Sequence, residues 1–191
     1  MRPIDVSSNH ERFRAPGGGP VRRTVRWVMA LLAPVCALLA LGGPARGEVP
    51  WPTFQGAWFE VEYPPGFAVE ASIESPSMAG RFDSVSFVSA DGAVAFYVYS
   101  PQWSGEPTDI ALHDGSERMV AEKRSEKGTR VVRWYTIAAS DGAYARSYQD
   151  TVDTVSGTRT VVGLRYRSDA ERKRHASQYQ RFKKSLRQFA D

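Results

Sequence analysis

The 191-residue chain carries 25 Lys and Arg against 21 Asp and Glu, a formal charge of +4, and one cysteine. The basic excess is confined to the start: residues 1–47 hold seven Arg and two acidic residues, whereas residues 48–191 hold 18 basic and 19 acidic ones. A near-neutral main body excludes the basic footprint that nucleic-acid binding needs. Because Cys36 precedes it, residues 48–191 can form no disulfide, thiolate metal site or cysteine nucleophile.

Residues 1–47 read as an N-terminal extension and a cleavable signal peptide. Arg22, Arg23 and Arg26 precede the apolar run Trp27 to Leu41, and Ala45-Arg46-Gly47 supplies a small-x-small cleavage site. Cleavage is expected after Gly47, which places the mature chain in the periplasm or outside the cell. The apolar run falls short of the ~20 residues of a membrane span and contains Pro34, so no stable span is expected after processing. Ala33-Pro34-Val35 before Cys36 lacks the small neighbour that lipidation of a cysteine requires.

Residues 48–56 form a Trp/Pro arm, in which Pro50 and Pro52 argue against ladder pairing. Residues 57–191 read as a single α+β domain. Trp58 to Tyr63 alternates, with Phe59, Val61 and Tyr63 on one side; Pro64-Pro65-Gly66 turns the chain, and Phe67 to Ile73 is the next strand. The clearest signal is DSVSFVSADGAVAFYVY, from Asp83. Asp91-Gly92 predicts a two-residue type I′ hairpin that sets Ala90 opposite Ala93, Phe87 opposite Phe96 and Val85 opposite Val98. Tyr97 and Tyr99 fall on the other face.

Pro101 to Gly115 reads as an irregular crossover with a short helix around Ile110. A meander follows: Arg118 to Ser125, Arg130 to Ala139, Ala143 to Asp153 and Arg159 to Arg167, with turns at Gly128, Asp141-Gly142 and Ser156-Gly157. These turns predict Trp134 opposite Gln149 and Gln149 opposite Leu164. Val132, Trp134, Ala138, Ala145, Val162, Leu164 and Tyr166 then share a face, and the small residues Ala138, Ala145 and Ser147 leave room on it for a bulky partner. The opposite face carries Arg133, Tyr135, Arg146, Tyr148, Asp150 and Arg165, with Arg133 expected to pair with Asp150. The bulky partner is the last segment. Ser168 to Glu171 has capping-box spacing, and His175, Tyr179, Phe182, Leu186 and Phe189 recur as one helical stripe. The fold class is therefore α+β: an antiparallel sheet of about six to eight strands flanked by helices, with a C-terminal amphipathic helix.

Catalytic and metal-binding constellations are absent from this pattern. His113 and His175 are the only histidines after residue 47, no serine sits in a nucleophile elbow, and no glycine-rich loop follows a strand. No catalytic residue, metal or cofactor is assigned. Charge is more informative. Residues 48–114 hold ten acidic residues and one basic, whereas residues 115–191 hold nine acidic and 17 basic. Two readings follow: mutual neutralisation as the halves pack, or a basic helix that docks on an acidic partner or anionic lipid. The candidate binding residues are Trp103 and His113 in the crossover, and Lys173, Lys183, Lys184 and Arg187 on the terminal helix.

Three motifs carry a resemblance to a known group: YPPGF (Tyr63 to Phe67), the Ser-x-Asp-Gly turn (Ser89 to Gly92) and the Tyr-x-x-Phe-x-x-Ser-Leu helix (Tyr179 to Leu186). In this order, over roughly residues 54–189, they resemble the PsbP-like fold group. The resemblance implies an α/β/α sandwich and a mostly non-enzymatic membership: photosystem-associated lumenal subunits, a Ran-binding protein, envelope lipoproteins and secretion-effector chaperones. It transfers no binding residue. The resulting expectation is an exported accessory or interaction module with an envelope protein as partner. Its alternatives are a small periplasmic hydrolase or lyase using His113 and Asp114, or a carrier of a small apolar ligand.

Overall fold

The computed structural model describes residues 49–189. The expected leader, its cleavage point and Cys36 lie outside the described residues. Ten strands and two α-helices follow in chain order: β1 (Thr53–Gln55), β2 (Phe59–Glu62), β3 (Ala68–Ala71), β4 (Ser84–Val88), β5 (Val94–Tyr99), β6 (Glu117–Lys127), β7 (Arg130–Ala139), β8 (Ala145–Asp153), β9 (Arg159–Tyr166), α1 (Asp169–Arg174), α2 (Ala176–Ser185) and β10 (Arg187–Gln188). Seven strands make one antiparallel sheet, ordered β3-β4-β5-β9-β8-β7-β6, and β1-β2-β10 make a smaller one. The small sheet and the helices cover one face of the large sheet. The crossover between β5 and β6, with a single 3-10 turn at Thr108–Ile110, covers part of the other.

The β4–β5 hairpin has the expected register, with Phe87 opposite Phe96 and Val85 opposite Val98. Its turn differs from a two-residue loop. Ser89 N–H donates to Val94 C=O at 3.0 Å, Gly92 N–H donates to Ser89 C=O at 2.7 Å, and the Asp91 carboxylate accepts Ala93 N–H at 2.9 Å. Ala90 and Ala93 are therefore loop residues rather than a cross-strand pair, and Gly92 takes a positive φ of 63° to re-enter the strand. The β7–β8 turn repeats this arrangement: Gly142 N–H donates to Ala139 C=O, and Asp141 accepts Ala143 N–H.

Trp134 lies opposite Gln149 as expected, but Gln149 lies opposite Val162 rather than Leu164. The cause is Asp153. Its carboxylate accepts the N–H groups of Val155 and Ser156, which widens the expected Ser156-Gly157 turn to four residues and moves the register by two. A shift of two keeps every side chain on its expected face.

Residues 53–55 pair with β2 although two prolines precede them. Pro52 ends before the strand begins and β1 is an edge strand, so its missing N–H breaks no ladder bond. The terminal segment also departs from a single helix. Ser168 caps α1 by accepting Glu171 N–H, but Glu171 pairs with Arg174 at 3.1 Å instead of returning to the cap. Helix α2 stops at Ser185, whose hydroxyl accepts Glu62 N–H at 3.0 Å. Leu186 is extended, and Arg187 and Gln188 pair with Glu60 and Phe59. The open edge of β2 offers backbone partners that another helical turn would forgo. Phe189, the last residue of the expected stripe, is half exposed.

The first core lies between the large sheet and α2. Phe59, Val61, Val85, Phe87, Phe96, Val98, Val162, Leu164 and Phe182 are all buried there. The second lies under the crossover and holds Tyr97, Tyr99, Ile110, Tyr135, Ile137, Tyr148 and Val161. Tyr97 and Tyr148 meet edge to face at 5.8 Å, and Gly163 lies opposite Tyr97 on β5 and opposite Tyr148 on β8. A methyl group on Gly163 would overlap the Tyr148 ring and approach Tyr97 Cβ at 3.3 Å. Gly163→Ala is expected to cost about 1–3 kcal/mol by overpacking, read as a shift in the urea midpoint.

Candidate functional site

The meander strands bury the side that their composition made look polar. On β7, Tyr135, Ile137 and Ala139 are buried; on β8, Arg146, Tyr148 and Asp150 are buried. Trp134, Thr136, Ala138, Ser147 and Gln149, on the side expected to receive the helix, are half-buried or exposed. The helix is the reason. Phe182 packs on Phe87 and Phe96 with ring centroids 5.6 and 5.1 Å away, which sets α2 over β4 and β5. Strands stand ~4.8 Å apart and a helix is ~10 Å across, so α2 cannot also cover β8, β7 and β6.

The half left uncovered by the described residues is a groove of about 450 Å³ between the sheet and the flank of α1 and α2. Its floor is Ala121, Trp134, Thr136, Ser147, Gln149, Leu164 and Tyr166; its wall is Ala176 and Tyr179. Trp134 is 38 % exposed, a large apolar surface to leave in water. Lys123, Arg172, Lys173 and Lys183 line the rim. Three of these cations lie against aromatic rings of the groove: Lys123 5.8 Å from Trp134, Arg172 5.7 Å from Tyr166, and Lys183 5.2 Å from Tyr179. Arg172 also pairs with Asp169 at 3.0 Å. Among the described residues no carboxylate lies within ion-pair distance of Lys123, Lys173 or Lys183. A second hollow of about 560 Å³ continues the groove toward Thr129, Ser156 and Thr160, and Gln149 and Lys183 line both.

The six residues singled out by sequence fall in four places. Lys173 and Lys183 stand on the groove. Lys184 and Arg187 stand over the small sheet, beside Glu60 and Glu62, and Arg187 pairs with Glu60 at 3.3 Å. Trp103 is 54 % exposed in the crossover and stands outside the groove. His113 is on the opposite face of the sheet, where its Nδ1 lies 3.1 Å from Glu117 rather than against Asp114. Lys123, Trp134 and Gln149 were missed as site residues. Their signal was the run of small residues around them, which sequence reading assigned to helix packing.

The face behind the groove carries a buried polar network. Arg146, which sequence places on the face opposite the expected helix, is enclosed. It donates to Glu117 from Nε at 2.8 Å and from Nη2 at 2.5 Å, and to the Ile110 and Ala111 carbonyls at 2.8 and 2.9 Å. Tyr144 donates to the same Glu117 at 2.7 Å. Burial alone would push the Glu117 carboxyl upward, but the bonds from Arg146, His113 N–H and Tyr144 outweigh it and hold the pKa down at about 2. Asp109 accepts hydrogen bonds from Tyr97 at 2.7 Å, Ser84 at 2.8 Å and Ser72, which ties the crossover to the sheet; desolvation and the Asp109 charge push the Tyr97 phenol up. The expected Arg133–Asp150 pair re-forms elsewhere: Asp150 takes Arg159 at 2.7 Å, and Arg133 takes Glu122 at 2.7 Å. This network fastens the crossover to the sheet. Glu117, the carboxylate bonded to His113, is occupied by a guanidinium, which makes His113–Glu117 a poor general-base pair.

Among the described residues no group of three or more His, Cys, Asp or Glu side chains is placed to hold a metal, and no helix is long and apolar enough to cross a membrane. No protein-family model matches the chain, and no curated protein matches it. Among solved structures, the cyanobacterial PsbP (CyanoP) of Synechocystis sp. PCC 6803 is similar at 12 % identity, covering 78 % of this chain and 99 % of that one with a TM-score of 0.45. A mutant form of the protein Mog1 is similar at 12 % identity, with 74 % and 97 % covered and a TM-score of 0.37. The Ran-binding protein Mog1p of Saccharomyces cerevisiae is similar at 11 % identity over the same shares, with a TM-score of 0.36.

Proposed function

We propose that this chain is an exported, non-enzymatic accessory module of the cell envelope that binds a protein partner through the Trp134 groove. The observation that carries the reading is the uncovered half-face itself: an apolar floor, 38 % of Trp134 in water, and three lysines with no carboxylate in reach among the described residues. Large aromatic side chains that become buried on binding are among the commonest interface hot spots. Export rests on the arginine-rich start, the apolar run and the Ala45-Arg46-Gly47 site, so the mature protein is expected to begin at Glu48.

The test is co-purification from the envelope fraction with a C-terminally tagged full chain. Trp134→Ala combined with Lys183→Glu is expected to reduce the co-purifying protein at least tenfold, because each change touches the groove and neither removes a core side chain. Trp103→Ala and His113→Ala are expected to leave it unchanged. Loss with His113→Ala and retention by the groove variant would move the function to the crossover, where the hydrolase or lyase reading placed it.

A further inference from the structure

Building on the groove as the binding site, we propose that its occupant is an acidic amphipathic α-helix of the partner, laid over β8 alongside α2. The sheet sets the width. In the order β4-β5-β9-β8, the middle of the β9–β8 pair is two strand spacings from the middle of the β4–β5 pair beneath α2. Two spacings make roughly 10 Å, the distance at which two helices pack side by side. The sheet is thus one helix short on this face, and an incoming helix would meet α2 through Tyr179 and the floor through Trp134 and Leu164.

Length points the same way. The two joined hollows follow β8 from Ser147 to Thr151 and on to Asp153, about 20 Å of strand. That is the length of ~13 helical residues, about three to four turns. Charge sets the sign. Lys123 on one rim and Lys173 and Lys183 on the other straddle the floor, so a helix with apolar residues every three or four positions and Asp or Glu on both shoulders meets all three.

The competing occupants fit less well. An added strand would need the free edge of β6, but that edge is interrupted by a bulge between Met119 and Ala121 and carries Arg118, Arg124 and Lys127. Among the described residues a second copy of this chain could offer only α1 or α2 as a helix, and both carry basic last turns that the rim lysines repel.

The test places the photo-reactive residue p-benzoylphenylalanine at Ala121, Thr136 or Gln149 of the full chain, one position at a time, in cells that make it. The cross-linked residues of the partner are then read by mass spectrometry. Partner positions three, four and seven apart, flanked by Asp or Glu, with adduct yield cut at least tenfold by Lys123→Glu with Lys183→Glu, are the expected result. Partner positions two apart mark an extended segment; they overturn the helix and leave the groove as the binding site. A cross-link to a second copy of this chain, or to a lipid, overturns the helix and the protein-partner reading together. The same holds if a co-purified partner gives no adduct from any of the three positions.

Discussion

Phe182→Ala is expected to lower the unfolding free energy by about 3–5 kcal/mol, more than any change on the groove. Phe182 is fully buried between the large sheet and α2. Its ring meets Phe87, Phe96 and Tyr179, with centroids 5.6, 5.1 and 6.1 Å away, so truncation removes contacts on both the sheet side and the helix side. α2 has no second fully buried side chain to keep it seated. Urea unfolding followed by far-UV circular dichroism measures the loss. Phe182→Leu keeps most of the volume and is expected to recover a large part of it. An Ala variant within 1 kcal/mol of wild type would mean that α2 is not anchored through this residue.

Arg146→Ala has the next largest expected effect, about 3–5 kcal/mol, for a different reason. Its guanidinium is the main partner of Glu117, and both side chains are almost fully enclosed at 6 % and 1 % exposed. Removing it strands a buried carboxylate and frees the Ile110 and Ala111 carbonyls that hold the crossover down. Replacing both members by apolar residues, Arg146→Met with Glu117→Leu, is expected to be far milder than the single change, because no charge is then left unpaired. The same pair sets an acid limb. Glu117 titrates at about 2 in the fold against 4.5 unfolded, so its contribution is complete above pH 4.5 and disappears as pH falls through 2. A shift of that size corresponds to ~3 kcal/mol. The stability of the wild type should therefore fall between pH 5 and pH 2, and Glu117→Gln should flatten that limb.

Local chemistry made much of this fold legible in advance. The β4–β5 register followed from the alternation of Val85, Phe87, Phe96 and Val98 about a Gly turn. The Ser168 cap and the burial of Phe182 followed from capping and helical spacing. What sequence missed depended on partners far away in the chain. The Arg146–Glu117 pair was not legible because its members are 29 positions apart and lie on different strands, β8 and β6. Phe189 looked helical because the open edge of β2, which captures the last residues, was not in view.

The groove shows the same limit most clearly. Ala138, Ala145 and Ser147 did signal room for something bulky. What periodicity did not supply was the count of strands against the width of one helix: seven strands need more cover than α2 provides. Lys173 and Lys183 were accordingly found by charge, whereas Trp134 was assigned to a core that stops short of it.

Amide hydrogen exchange on the purified complex tests the groove most directly. Binding at the groove predicts slowed exchange in β6 and β7 from Ala121 to Thr136, in β8 from Ser147 to Thr151, and along α1 and α2 from Arg172 to Lys183, with the Trp103–Asp114 crossover unchanged. Protection confined to the crossover or to the small sheet around Lys184 and Arg187, with the Trp134 strand exchanging as in the free protein, would contradict it.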